Sequence, residues 1–151
     1  MFIETSAIVA ILINDPDGER VSEGMAASQA RRYSSVLARL ETSLVVATKL
    51  NVPLHISEGF FEEFISDNDI ELIPISDGIM RNAVVAYSQF GNGKHPAKLG
   101  FADSIHYAIA TSYRLPMLFI GNDFKQTDLK SVLSNPTPKK NWPSEPASTQ
   151  T

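Results

Sequence analysis

The stretch that most constrains this chain runs from residue 98 to 124, where a helical pattern gives way abruptly to a short apolar run. Phe101, Ile105, Ala108, Ile109 and Ser112 recur at helical spacing and predict one face of a helix. Asp103 falls in the first turn, where a carboxylate meets the positive end of the helix dipole. Pro116 stops the helix, and residues 117–120 (Met-Leu-Phe-Ile) are continuously apolar. Such a run predicts a strand covered on both faces, hence a parallel sheet between helices. Asn122 and Asp123 follow at once, at the edge where open α/β sheets place their sites.

The rest of the chain repeats that alternation. Residues 1–4 predict a strand ending in Glu4, with Thr5 and Ser6 as N-caps for a helix over 7–13. Turn residues 14–18 lead to a thinly amphipathic helix over 19–30 and a short strand over 31–34. A helix is expected from Ser35 to Leu50, its core stripe made of Val36, Leu37, Leu40, Leu44, Val45 and Ala47. Glu41 lies inside that stripe. It is either turned inward, which is costly without a partner or cation, or placed at the stripe's edge and reaching water.

Ser57 is expected to cap a helix through Phe60, Phe61, Phe64 and Ile65, ending near residues 67–69. A strand over 70–73 is closed by Pro74. Ser76 or Asp77 then caps a helix whose face is Ile79, Ala83, Ala86, Tyr87 and Phe90. Residues 94–98 form a basic loop, and residues 128–133 predict a last helical turn or an edge strand. From Ser134 proline, serine, threonine and lysine dominate, so residues 134–151 read as a disordered tail. Strand–helix alternation over residues 1–133 predicts one α/β domain with a mainly parallel sheet and helices on both faces.

Composition narrows the chemistry. The 151 residues contain no cysteine, which removes thiolate zinc sites and cysteine nucleophiles. A net charge of −4 argues against broad electrostatic binding to nucleic acid. No run approaches bilayer length and no signal-peptide pattern is present, so a cytoplasmic location away from membranes is expected. Glu4, Glu41, Asp103 and Asn122 or Asp123 could converge at one sheet edge. Clustered carboxylates repel unless a cation intervenes, and oxygen ligands favour Mg²⁺ or Mn²⁺ over zinc. His55, His95 and His106 are too scattered to form a ligand set. His106 shares a helix with Asp103 and could lean toward the site, but it reads first as a packed or solvated side chain.

Four segments carry a family resemblance. Residues 2–12 (Phe-Ile-Glu-Thr-Ser-Ala-Ile-Val-Ala-Ile-Leu) resemble the opening of PIN-domain toxins of the VapC type. Residues 35–43 resemble their second motif with its helix-borne glutamate, residues 87–107 the third, and residues 118–128 the fourth. The resemblance spans residues 1 to about 133. It implies a three-layer α/β/α PIN fold and a Mg²⁺-dependent endoribonuclease, with Mn²⁺ as an alternative metal. It also implies the toxin half of a type II pair: a VapB-type antitoxin filling the acidic cleft, a homodimer, an RNA substrate, and DNA met only through the antitoxin.

Carried over by position, Glu4, Asp103 and Glu41 hold the metal, and the fourth place falls on Asn122 or Asp123. Ser6 or Thr5 would bond a carboxylate or a metal water, and Arg39, Lys94 and Lys98 are candidates for RNA backbone contact. Two departures stand out. The family's first acid is usually aspartate, and glutamate extends the carboxylate by about 1.5 Å; Asn122 stands where an acid is expected. The alternative function is therefore a catalytically weakened PIN fold acting mainly by binding antitoxin. A phospho-acceptor signalling domain fits worse, because Glu4 is a poor acceptor and Glu41 has no counterpart there.

Overall fold

The computed structural model describes residues 1–133, and the expected tail at 134–151 lies outside the described residues. Four strands form one parallel sheet in the order β3-β2-β1-β4: β1 (Phe2–Ile3), β2 (Arg32–Ser35), β3 (Ile70–Ile73) and β4 (Met117–Leu118). Six helices surround it: α1 (Thr5–Leu12), α2 (Gly18–Ala26), α3 (Val36–Leu50), α4 (Leu54–Asp67), α5 (Asp77–Phe90) and α6 (Phe101–Ser112). A short 3₁₀ turn covers Phe124–Gln126. This is the expected three-layer α/β/α arrangement.

Alternation along the strands sorts the side chains into two cores. Phe2, Ile73 and Met117 point to one face, among Ile79, Ala83, Ile105 and Ile109 of α5 and α6. Ile3, Ile70 and Leu118 point to the other, among Ile8, Val21 and Phe61 of α1, α2 and α4. The chain builds β1, β2 and β3 in one direction and then adds β4 on the opposite side of β1. That reversal opens a crevice at the carboxyl ends of β1 and β4, the usual ligand position in open parallel sheets.

Several local expectations are corrected. The N-cap of α1 is Glu4 itself, whose carboxylate accepts from Ser6 N–H, so Thr5 and Ser6 lie inside the helix. Helix α4 starts at Leu54 behind Pro53. Ser57 is buried within it, and its hydroxyl donates to the Ser43 carbonyl at 2.7 Å. Strand β4 is only two residues long. Residues 130–132 run beside it, with Met117 N–H donating to Lys130 O and Val132 N–H to Met117 O, both at 2.9 Å. That segment makes an isolated parallel bridge to β4 rather than a helical turn or a full edge strand. On α6 and α5, Phe101 and Tyr87 leave the expected apolar faces and are exposed.

The largest correction concerns α3. Val36, Leu40, Leu44 and Val45 are exposed, Leu40 by 56%, and the buried side is Ala38, Thr42, Ser43 and Val46. Small residues let α3 approach α4 closely, and the larger apolar ones are left outside. Ser35, where the helix was expected to begin, is its N-cap, accepting from Ala38 N–H at 3.1 Å. Ser76, rather than Asp77, caps α5. Among the described residues, no helix is long and apolar enough to cross a membrane.

The buried side of α3 yields a stability prediction. Thr42 is fully buried and its hydroxyl has no hydrogen-bond partner among the described residues. Thr42→Val keeps the shape and removes an unpaired polar group, so it should stabilise the protein by about 1 kcal/mol. Urea unfolding checks this: the midpoint should rise with an unchanged slope.

Candidate metal centre

Glu4 extends from the end of β1 into the crevice and is only 5% exposed. Its Oε2 accepts from Ser6 N–H at 2.8 Å and from the Ser6 hydroxyl at 2.5 Å. Its Oε1 lies 3.2 Å from His106 Nδ1. Burial alone pushes the Glu4 carboxyl up, but bonds from His106 and Ser6 outweigh it and hold the group below the usual glutamate value. The Ser6 hydroxyl also accepts from Ile120 N–H at 2.9 Å, which ties the exit of β4 to α1.

Glu41 comes from α3, one turn and a half after Ser35, and is partly exposed to the crevice. Its Oε1 accepts from the Thr5 hydroxyl at 2.8 Å and lies 3.5 Å from His106 Nε2. Burial raises its pKa; His106 and Thr5 offset part of this, while Glu4 and Asp103 push it further up. Asp103, in the first turn of α6, accepts from Gly100 N–H at 3.1 Å through Oδ2. Burial raises its pKa as well, the Gly100 bond opposes the rise, and the charges of Glu4 and Asp123 add to it. Three carboxylates from far apart in the chain thus feel one another's charge.

His106 belongs to this cluster, which corrects the reading that left all three histidines out of it. The ring is fully buried. Ligand atoms of Glu4, Glu41 and His106 lie within 4.8 Å of one another, a spacing that one ion could bridge. The clustered donors are two carboxylates and an imidazole, a set that could hold a divalent cation, and Asp103 is not one of the three. The signal available in the sequence was spacing: His106 is three residues after Asp103 and so lies on the same helix face.

The other expected site residues are distributed as follows. Thr5 and Ser6 each bond a site carboxylate. Asp123 precedes the 3₁₀ turn, and its charge reaches Asp103. Asn122 is exposed and lends its backbone carbonyl to Lys125 N–H. Lys94 and Lys98 are exposed in the loop before α6. Arg39 is turned onto α4 instead, where it pairs with Glu58 and Glu62 and lies 5.3 Å over the Phe61 ring. Its charge is already matched. A cleft of about 470 Å³ opens from Glu4 and Glu41 along a wall that includes Val9, Ile13, Val45 and Ile120.

Comparison with known proteins agrees with the fold. Residues 1–130 match the family described as PIN domain. The chain is 33% identical over 134 residues to Ribonuclease VapC28 of Mycobacterium tuberculosis, covering 88% of this chain and 98% of the relative. It is also 33% identical over 132 residues to Ribonuclease VapC of Mycolicibacterium smegmatis, covering 87% and 99%. Among solved structures, the Mycobacterium tuberculosis VapC20 toxin, described as cleaving the sarcin-ricin loop, superposes with a TM-score of 0.72. It is 12% identical, with 88% of this chain and 98% of that one covered. A toxin–antitoxin complex from Klebsiella pneumoniae gives a TM-score of 0.62 at 20% identity, covering 84% and 92%. At such identities the two structures speak to the fold.

The raised acids predict a pH-dependent stability. Ionised Glu41 and Asp103 oppose folding in full above their raised folded-state values, and the penalty vanishes as pH falls to ordinary carboxylate values of about 4. Glu4 has the opposite sign: its contribution is present above the ordinary value and lost as pH falls through its lowered one. Glu41→Gln, in metal-free buffer, should therefore raise the melting temperature at pH 7 by about 2–4 °C, the shift that ~1 kcal/mol produces in a domain of this size. The gain should disappear near pH 4. Calorimetry across that range checks both the size and the sign.

Proposed function

The chain belongs to the PIN domain family and, within it, to the VapC-type proteins, and from that premise we propose that it is a Mg²⁺-dependent endoribonuclease acting as a toxin. The observation that supports this reading is the cluster of Glu4, Glu41 and His106, with Asp103 near enough for its charge to act on Glu41. Such an arrangement costs stability and suits a divalent cation. Mg²⁺ fits the oxygen donors best, and Mn²⁺ is the natural substitute.

Glu41 and Asp103 are each oriented through one oxygen and keep the other available. Thr5 holds Oε1 of Glu41 and Gly100 holds Oδ2 of Asp103. Among the described residues, Oε2 of Glu41 and Oδ1 of Asp103 take no protein hydrogen bond. Glu4 is fixed at both oxygens, with lone pairs left on Oε1. A bound Mg²⁺ would lower the pKa of a coordinated water for attack on a phosphodiester and neutralise charge on the phosphate. Asp123 adds a fourth acid at the rim, close enough for Asp103 to feel it. Lys94 and Lys98 are exposed, form no ion pair among the described residues, and suit the RNA backbone.

The partner reading follows from the same surfaces. The cleft beside the acids has an apolar wall, which suits an antitoxin segment carrying apolar side chains and a cation toward Glu4 and Glu41. Exposed Leu40 and Leu44 on α3 and Val84 and Val85 on α5 give a second copy apolar surface to cover. DNA would be reached through the antitoxin.

One observation favours the weakened reading as a second possibility. Both oxygens of Glu4 are already engaged by Ser6 and His106, and Mg²⁺ demands near-ideal octahedral placement at about 2.0–2.1 Å.

Two experiments test these readings. Asp103→Asn should leave the fold intact and reduce metal-dependent RNA cleavage on the order of 100-fold or more, since a direct ligand matters more than the outer partners worth about 10–100-fold. Cleavage that survives would misplace the site. RNA cleavage by the antitoxin-free protein and its Glu4→Asp variant, with Mg²⁺ or Mn²⁺, separates the two functions. Activity in both is expected of a working toxin, whereas activity in the aspartate variant alone identifies an attenuated one.

A further inference from the structure

His106 is the one member of the cluster that the acid chemistry does not call for. It is fully buried, three residues after Asp103, and its ring lies 5.5 Å from the Phe2 ring at an angle of 55°. Its two nitrogens face different elements. Nδ1 is 3.2 Å from Glu4 Oε1, Nε2 is 3.0 Å from the Ser35 hydroxyl, and Glu41 Oε1 is 3.5 Å from Nε2.

Hydrogen-bond accounting fixes the direction of this chain. Ser35 Oγ accepts from Ala38 N–H as the cap of α3 and keeps both its proton and a second lone pair for Nε2, so this contact serves the ring in either tautomer and the direction is set at Glu4. Glu4 Oε2 accepts twice from Ser6, so the carboxyl presents Oε1 to the ring as an acceptor. Two lone pairs cannot face each other at 3.2 Å in a buried site without cost. Nδ1 must therefore carry a proton and donate it to Glu4.

We propose that His106 is a positioning residue, which holds the Glu4 carboxylate in place for a divalent cation through Nδ1–H while Ser35 holds the ring. The reach of the glutamate is part of this arrangement. Shortening it to aspartate withdraws the carboxylate by about one C–C bond length, ~1.5 Å, beyond hydrogen-bond distance of Nδ1. Ring and side chain therefore act as a unit, with Ser6 closing the other side. An imidazole that donates to a metal-binding carboxylate governs where that carboxylate points, and such partners change metal affinity by about 10–100-fold when removed. This inference rests on the metal-binding reading above.

The test measures Mn²⁺ affinity by electron paramagnetic resonance on the full chain. It compares the wild type with His106→Leu, which removes the donor, and His106→Asn, whose amide N–H replaces Nδ1–H. The leucine variant should bind Mn²⁺ about 10–100-fold more weakly and the asparagine variant should recover most of that loss. Adding Glu4→Asp should weaken the wild type but add little to His106→Leu, the non-additivity of two residues in one contact. Equal weakness in both His106 variants would make the ring a direct ligand and overturn the proposal. Affinity unchanged in both would also overturn it.

Long-range ¹H–¹⁵N spectra of the metal-free wild type provide a readout that needs no variant and no metal. A protonated Nδ1 is expected, and a ring with Nδ1 bare refutes the inference. Should the wild type fail to bind Mn²⁺ at all, the proposed function falls, and those spectra alone decide the role of His106. They decide it equally if His106→Leu does not fold.

Discussion

A negative charge kept almost entirely out of water is the constraint on which this structure depends. Glu4 sits at the end of the central strand β1, 5% exposed and with its pKa held down. A buried carboxylate is tolerated only when hydrogen bonds replace its water. Ser6 supplies two of them from α1, and His106 supplies the third from α6. The Ser6 hydroxyl in turn takes the Ile120 N–H beyond β4, and the His106 ring takes Ser35 at the junction of β2 and α3. Satisfying one charge therefore fixes the relative positions of three strands and three helices.

The same crevice is where the protein accepts its least favourable electrostatics. Glu41 and Asp103 are pushed up by burial and by neighbouring acids, without an opposing charge of equal number. Sites that perturb carboxylates in this way are where function is expected, because selection for folding alone would not retain them. Elsewhere charges are handled conventionally, as with Arg39 between Glu58 and Glu62 on the surface of α4.

Much of this was legible in the chain itself. Short apolar runs followed by amphipathic helices gave the parallel sheet, and acids at the ends of those runs pointed to the crevice. Three things were not legible. The face of α3 was misread because large apolar residues were assumed to point inward, whereas close packing on α4 selects Ala38, Thr42 and Ser43. The caps at Thr5 and Ser6 were misread because a glutamate is a poor default N-cap, yet Glu4 occupies that place with its own carboxylate. His106 was set aside because ligand sets are sought by spacing along the sequence. Spacing shows only that it shares a helix face with Asp103, while its partners are Ser35, 71 residues away, and Glu4, 102 residues away.

Those separations bear on how the protein is made. The strand that begins the chain is central in the sheet, and it cannot be flanked on both sides until β4 exists. Ser6 meets Ile120 across 114 residues. A chain leaving the ribosome from its N-terminus thus exposes Glu4 early and completes the crevice only when nearly the whole domain is available to fold. Long-range closure of this kind is intrinsically slow. A chain that has not yet reached β4 is consequently without an assembled acidic site, which closes in one step when that strand is added.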